Sequence, residues 1–197
     1  MSRTTGIVLF DEVEELDFVG PWEVFTAARH GHEADRVLTI APTEGVVRCA
    51  KGLRVLPDCS FDDAPPLDVL LVPGGQGTRR EAENPVFLEW LREAAARCTF
   101  VTSVCTGSLL LHAAGIAKGR RITTHWSFVE ALRGRGDATV LENRRYVRDG
   151  NLVTAAGVSA GIDMALWVVG QIYGVDHARL IQKWIEYDPA PPYAADV

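Results

Sequence analysis

Short apolar runs rich in β-branched residues recur along this chain and alternate with amphipathic segments of helical period. Continuous apolar strands are typical of a parallel sheet that is covered on both faces. The alternation therefore predicts an α/β fold with one mostly parallel sheet and helices on both faces. The predicted strands are residues 6–10, 36–40, 68–72, 100–104, 121–124 and 152–154.

Helices are predicted between these strands, where apolar residues follow the helical period. Proline is tolerated in the first turn of a helix, so Pro21 and Pro85 are placed at two helix starts. The predicted helices are residues 21–29, 85–97, 107–114, 126–132, 159–173 and 176–187.

Two hairpins and one extended tail complete the predicted elements. Residues 46–49 pair with 53–56 around Lys51-Gly52, and residues 139–141 pair with 145–147. The proline-rich stretch 188–192 is predicted to lie extended on the surface, because proline fits neither a regular helix nor a sheet interior.

The composition predicts a single domain covering residues 1–197, since this length suits one substantial core. A net charge of −6 argues against nucleic acid as the main partner, because phosphate binding needs a dense basic face. The arginine pairs are isolated and are interpreted as solvated surface. They are Arg79-Arg80, Arg120-Arg121 and Arg144-Arg145.

No apolar run approaches the ~20 residues that a membrane span needs, so no membrane partner is expected. The first residues lack the layout of a signal peptide. The four cysteines show neither a CxxC pair nor the spacing of metal ligands, so no metal site is predicted. A reduced, cytoplasmic setting is expected.

Ligands of such sheets bind outside the carboxyl ends of the strands. The segment Ser103-Val104-Cys105-Thr106-Gly107 lies there, where a buried strand meets a helix. This is the layout of a nucleophile elbow with cysteine as the reactive residue. The helix N-terminus is expected to favour the Cys105 thiolate, which is the form that attacks.

The alternative is that Cys105 is a small buried hydrophobe, as most free cysteines are. That interpretation is preferred for the other three cysteines. For Cys105 the coincidence of strand, turn and helix favours chemistry instead. The three cysteines interpreted as structural are Cys49, Cys59 and Cys98.

Two further segments follow strands at the same edge. Pro73-Gly74-Gly75-Gln76-Gly77 brings backbone amides close to a ligand, and with the Thr106 amide it is a candidate oxyanion hole. Asp17 belongs to an acidic run that is mostly solvated, but it lies between Leu16 and Phe18. If it points inward, its pKa is raised and it can pass protons near the thiol.

His125 follows the strand-like residues 121–124. It is a candidate base for Cys105, a pocket residue, or a plain structural histidine, and the pattern does not separate these roles. Gly74, His125 and Trp126 are therefore kept as candidate pocket residues.

Several of these segments together resemble the ThiJ/PfpI-like superfamily, which is related to class I glutamine amidotransferases. The resemblance covers nearly the whole chain, and within the family it is most similar to the isonitrile (isocyanide) hydratase branch. The matching stretches include Leu16-Asp17-Phe18, Pro73-Gly74-Gly75, Val104-Cys105-Thr106-Gly107, Thr124-His125-Trp126 and Ala160-Gly161.

The resemblance implies a flavodoxin-like fold and a homodimer without a cofactor that hydrates an isonitrile to an N-substituted formamide. By position it makes Cys105 the nucleophile, Asp17 the acidic residue beside it and Thr106 the adjacent active-site residue. It also makes the Gly75 and Thr106 amides the donors to a developing anion. Attack by Cys105 with proton delivery from Asp17 gives a thioimidate, which water then releases.

The residue that follows the cysteine distinguishes this chain from other branches of the superfamily. Its peptidase members usually carry histidine directly after the cysteine, and its glyoxalase-like members tend to, whereas this chain has Thr106, so both activities are disfavoured. The alternative function is a non-catalytic ligand- or oxidation-sensing domain, similar to the sensor domains of AraC-type regulators. Such regulators need a DNA-binding segment after this domain, and its absence from the sequence favours the enzyme.

Overall fold

The structure, a computed structural model, describes residues 2–189. Its strands are β1 (Thr4–Val8), β2 (Arg36–Ala41), β3 (Val47–Arg48), β4 (Arg54–Val55), β5 (Cys59–Ser60), β6 (Val69–Val72), β7 (Phe100–Val104), β8 (Arg121–Ile122), β9 (Thr139–Val140), β10 (Tyr146–Asp149) and β11 (Leu152–Ala155). Its helices are α1 (Glu15–Ala27), α2 (Thr78–Glu81), α3 (Pro85–Ala95), α4 (Gly107–Ala113), α5 (Val129–Arg133), α6 (Ala160–Tyr173) and α7 (Val175–Trp184).

The main sheet has seven strands in the order β10-β11-β7-β6-β1-β2-β5. Every neighbouring pair is parallel except the edge pair β10–β11. Helices α1, α6 and α7 pack together, and α2, α3 and α4 form a second group around α4. The predicted α/β, flavodoxin-like architecture is confirmed.

The strand order changes direction between β1 and β6, because the chain crosses from the β1–β2 side of the sheet to add β6, β7 and β11 on the other side. Ligands of open α/β sheets bind at such a reversal, outside the carboxyl ends of the strands. The segments that follow β1, β6 and β7 therefore meet at one place. These are the three segments that the sequence singled out.

The first helix begins six residues earlier than predicted. Pro21 lies inside α1 rather than in its first turn, and Glu14 is the residue before the helix. The proline ring is accommodated because Gly161 of α6 has no side chain to meet it. As a consequence, Asp17 belongs to the first turn of a helix and not to a solvated loop.

The predicted hairpin between residues 139–141 and 145–147 is wrong. β9 pairs in parallel with β8 in a separate two-stranded sheet, and β10 forms an antiparallel hairpin with β11. The reversal occurs at Gly150, whose φ of 60° suits a residue without a side chain. The other predicted hairpin, β3–β4, is confirmed.

Smaller differences concern the ends of elements. The strand-like residues 121–124 supply only the short β8, and a 3-10 turn at Trp126–Phe128 precedes α5. The last helix ends at Trp184. Residues 190–192 of the predicted extended tail lie outside the described residues. No described helix is long and apolar enough to cross a membrane.

Replacement of Gly107 by alanine is expected to destabilise the fold strongly. A Cβ at this position would stand 2.0 Å from the Val72 carbonyl oxygen, so α4 would have to move away from the end of β6. We expect a loss of about 3 kcal/mol in the free energy of unfolding, measured by urea denaturation. Gly134→Ala is the control, because its Cβ would meet nothing closer than 3.5 Å. A Gly107→Ala protein as stable as the control would contradict this packing.

Candidate active site

Cys105 occupies the sharp turn between β7 and α4. Its φ of 56° lies in the left-handed region, which a residue with a side chain adopts only when its surroundings hold it there. The Cys105 amide donates to the Ala156 carbonyl at 2.8 Å, and the Thr124 hydroxyl donates to the Cys105 carbonyl at 2.9 Å. These two hydrogen bonds hold the backbone of Cys105 at both its amide and its carbonyl.

The loop 73–77 packs against the segment that links β1 to α1. A Cβ on Gly77 would stand 2.0 Å from the Asp11 carbonyl oxygen, and one on Gly75 would stand 2.3 Å from that of Glu12. Only glycine, which has no Cβ, allows backbone contacts this close. The loop therefore brings the end of β6 against the start of α1, where Asp17 lies.

Asp17 is fully buried and faces the elbow. Its Oδ2 accepts a hydrogen bond from the Gly74 amide at 2.9 Å, while its Oδ1 has no oxygen or nitrogen partner among the described residues. A Cβ on Gly74 would stand 2.8 Å from Asp17 Oδ2 and 2.6 Å from the Thr106 amide. Glycine at this position thus keeps the carboxyl and the elbow in contact.

The surroundings of Asp17 raise its pKa from 3.8 to about 7. The main cause is burial, which penalises the carboxylate, and the charge of Glu14 adds to it. The Gly74 amide and a hydrogen bond with the Cys105 thiol act in the opposite direction. Near neutral pH this carboxyl can therefore both hold and release a proton.

Cys105 itself is 9% exposed, and burial raises the pKa of its thiol to about 12. The charge of Asp17 raises it further, whereas hydrogen bonds with the Thr106 amide and hydroxyl lower it. The expectation of a thiolate held by the helix N-terminus is therefore wrong. Burial and the charge of Asp17 both favour the protonated thiol, and α4 has only seven residues.

Thr106 lies beside the sulfur, and its hydroxyl is engaged with Gly75. The Gly75 amide donates to Thr106 Oγ1 at 3.1 Å, so this amide is not free for a ligand in the resting site. That differs from the expectation that the Gly75 and Thr106 amides both point at an anion. A ligand that takes the Gly75 amide must first displace the Thr106 hydroxyl.

His125 is half-buried and turned toward its own loop. Its Nδ1 lies 2.9 Å from the Ser127 hydroxyl, and its ring edge packs on Gly157, where a Cβ would clash at 2.2 Å. Burial lowers the pKa of His125, which favours the neutral ring. These contacts suit the structural role better than that of a base for Cys105.

Trp126 is 80% exposed and borders a cavity of about 440 Å³. The lining of this cavity includes Thr124 and Ala156, the two residues that bond to the backbone of Cys105, but not Cys105 itself. Space for a small molecule therefore lies one residue layer from the elbow.

Sequence reasoning missed two residues of this site, Thr78 and Arg79. The Thr78 hydroxyl donates to the Gly75 carbonyl at 2.8 Å and lies 3.3 Å from Thr106 Oγ1. Arg79 had been interpreted as solvated surface, yet its Nη1 donates to the same carbonyl at 3.0 Å. The one-turn helix α2 that positions both is too short to leave a periodic pattern.

Comparisons with known proteins identify the relatives of this chain. A sequence model of the DJ-1/PfpI family matches residues 4–171. An isonitrile hydratase of Pseudomonas putida is 42% identical over 98% of this chain and 82% of its own length. The crystal structure of a ThiJ/PfpI family protein from Pseudomonas syringae superposes with a TM-score of 0.92 at 34% identity, covering 100% of this chain and 80% of that one.

A regulator is also among the relatives. The HTH-type transcriptional regulator GbdR of Pseudomonas aeruginosa is 27% identical over 94% of this chain, which corresponds to 51% of the regulator. The described fold thus occurs both alone and as about half of a longer protein.

Replacement of Asp17 by asparagine is expected to stabilise the protein increasingly as pH rises. The folded-state pKa of about 7 lies above the ordinary value of 3.8, so the folded protein binds this proton more tightly than the unfolded chain. Wild-type stability therefore falls between about pH 4 and pH 7, by up to about 4 kcal/mol, and asparagine removes this loss. Urea denaturation measures the difference at about pH 4.5, near the acidic end of this window, and at about pH 8, above it.

The exposed Asp62→Asn substitution is the matched control, since it makes the same chemical change at the surface. The difference in the free energy of unfolding between Asp62→Asn and wild type should not increase as pH rises. The contrary result is a stability difference between Asp17→Asn and wild type that shrinks from about pH 4.5 to about pH 8, or grows by only about one kcal/mol or less. Either result would show that the carboxyl is not held protonated.

Proposed function

Because the chain belongs to the DJ-1/PfpI family, we propose that it hydrates an isonitrile to an N-substituted formamide through a covalent adduct on Cys105. The observation that carries the proposal is the buried pair of Cys105 thiol and Asp17 carboxyl, which lie close enough beneath the elbow to shift each other's pKa. A nucleophile and a proton donor with a pKa of about 7 are the two groups that this reaction requires.

In the first step Asp17 acts as the acid. An isonitrile carbon is basic and becomes electrophilic once it is protonated, so the neutral carboxyl transfers its proton to that carbon. The Cys105 sulfur then forms a bond to the same carbon, and the thiol proton returns to the Asp17 carboxylate. The product is a thioimidate, in which the carbon–nitrogen triple bond of the isonitrile has become a double bond.

In the second step water adds to the thioimidate carbon. Asp17 delivers a proton to the nitrogen and takes one from the attacking water, so the carboxyl ends the step as it began. The carbon–sulfur bond then breaks as the carbon–oxygen double bond forms, and the released hydroxyl proton passes to sulfur through the same carboxyl. The two steps together add one water molecule to the isonitrile. This overall reaction changes no oxidation state and needs no cofactor.

Thr106 is proposed to support the sulfur during this cycle. Its amide and hydroxyl both lower the pKa of the Cys105 thiol, so they stabilise negative charge as it develops on sulfur. The Gly75 amide is proposed to join them when the Thr106 hydroxyl shifts.

A ligand-sensing domain is the alternative that the regulator relative favours. An oxidation sensor is less suited to this site. Peroxide reacts with the thiolate, and burial together with the Asp17 charge raises the pKa of the Cys105 thiol to about 12. A non-catalytic sensor of small molecules would bind an isonitrile without releasing a formamide.

Formamide production from a simple isonitrile tests the proposal. Wild-type protein should turn over p-nitrophenyl isocyanide, Cys105→Ala should have no activity because the adduct cannot form, and Asp17→Asn should lose at least about 100-fold in kcat because the proton donor is gone. Liquid chromatography follows the formamide. Cys98→Ala is the control, because Cys98 is a buried thiol that bonds to the Leu67 carbonyl away from the elbow.

Folded wild-type protein that turns over none of a panel of isonitriles would overturn the hydratase proposal and favour the sensor. Activity retained in Cys105→Ala would overturn the covalent route, and near-native activity in Asp17→Asn would remove Asp17 from it.

We also propose that the protein is a homodimer. Apolar side chains remain exposed on α1 and on the β3–β4 hairpin, and the two elements are joined because Glu15 accepts a hydrogen bond from the Lys51 amide at 2.7 Å. A patch of this kind marks an interaction surface, and a second copy of the chain is its proposed occupant. The exposed residues are Leu16, Val19, Trp22, Val46, Leu53 and Leu56.

The double substitution Val19→Glu with Leu53→Glu is expected to give a monomer, because it places two charges in each half of the interface. Light scattering coupled to gel filtration should report twice the chain mass for wild type and one chain mass for the variant. Val86→Glu, at an exposed apolar residue of α3, is the control and should remain dimeric. A monomeric wild type would contradict the proposal.

A further inference from the structure

Arg79 is a cation at the edge of the elbow that has no carboxylate partner among residues 2–189. Two neighbouring cations are paired: Lys51 with Glu14, and Arg80 with Glu12 and Glu81. Arg79 instead donates through Nη1 to the Gly75 carbonyl at 3.0 Å and to the Thr78 hydroxyl at 3.1 Å. Its charge is therefore not neutralised by the protein.

The Arg79 side chain is nevertheless held in one place. Its guanidinium carbon lies 4.8 Å from the centroid of the Phe128 ring, which is the arrangement of a cation–π contact. Nη1 also lies 3.5 Å from Thr106 Oγ1, and the Thr106 hydroxyl in turn lowers the pKa of the Cys105 thiol, its neighbour in the chain. A planar fork of donors that is fixed, charged and unpaired is suited to bind a carboxylate.

The distance from this cation to the nucleophile limits the size of the ligand. Nη1 lies 3.5 Å from the hydroxyl of Thr106, the residue that follows Cys105. The cation and the sulfur are therefore separated by roughly 6–8 Å. In isocyanoacetate the isonitrile carbon and a carboxylate oxygen are four covalent bonds apart, about 5 Å. A small molecule of this kind can contact Arg79 with its carboxylate while its carbon meets Cys105.

We infer that Arg79 is a specificity-determining residue that selects small electrophiles and isonitriles bearing a carboxylate close to the reacting carbon. The part of this inference that concerns isonitriles rests on the proposed hydration. The preference for anionic reagents at the Cys105 sulfur does not depend on it. Glu14, whose charge raises the pKa of both Asp17 and Cys105, does not oppose this preference because it is paired with Lys51.

Alkylation of Cys105 tests the anion site without any isonitrile. Iodoacetate and iodoacetamide attack the same sulfur and differ in one charged group, and mass spectrometry of the Cys105 peptide gives both rates at pH 9. The ratio of the iodoacetate rate to the iodoacetamide rate should fall about fivefold in Arg79→Gln. Arg79→Lys should restore part of it, because it restores charge without the fork.

Arg80→Gln is the matched control, because it removes the same charge from the next residue while the guanidinium of Arg79 stays in place. Its rate ratio should equal that of wild type. An unchanged ratio in Arg79→Gln, or an equal fall in Arg80→Gln, would overturn the inference.

The isonitrile arm compares isocyanoacetate with its methyl ester. The ratio of their kcat/KM values should fall about fivefold in Arg79→Gln and stay at the wild-type value in Arg80→Gln. Equal losses on both substrates would mean that Arg79 only positions Gly75 and Thr106, which overturns the inference. If neither compound is hydrated, the proposed function fails, and the alkylation ratio alone decides whether Arg79 selects anions.

Discussion

The close approach of the Asp17 carboxyl and the Cys105 thiol is the constraint on which the rest of this site depends. Both groups are buried, and burial raises both pKa values, so neither carries a full charge at low cost. Each group therefore influences the protonation of the other. Raised pKa values at both groups favour a reaction that begins with a proton transfer over one that begins with a free thiolate.

Such a pair can form only because three backbone segments approach unusually closely. The glycines at 74, 75 and 77 each face an atom that a Cβ would meet at less than 3 Å, and Gly107 faces the end of β6 in the same way. Cys105 adds a positive φ that a side chain tolerates poorly. The sheet and the bonds from Ala156 and Thr124 hold this strained geometry in place.

The sequence predicts the sheet well, because its parallel strands are buried on both faces and must be continuous apolar runs. It also places Cys105, Gly74 and Asp17 at one edge of that sheet, because strand ends converge there. It does not reveal Arg79 as part of the site, since α2 has one turn and an arginine pair resembles surface charge. The protonation of Cys105 was wrongly predicted because burial at the elbow depends on packing between α1, α4 and the loop 73–77.

A protonated sulfur changes what the site can distinguish. An exposed thiolate reacts with many electrophiles, whereas a neutral thiol at 9% exposure reacts slowly with all of them. An isonitrile differs from ordinary electrophiles because its carbon accepts a proton first. In the proposed reaction the Asp17 carboxyl supplies that proton, and the carboxylate left behind takes the proton of the Cys105 thiol as sulfur attacks. On this proposal the basicity of the substrate activates the nucleophile, and selectivity follows from the same burial that suppresses the thiolate.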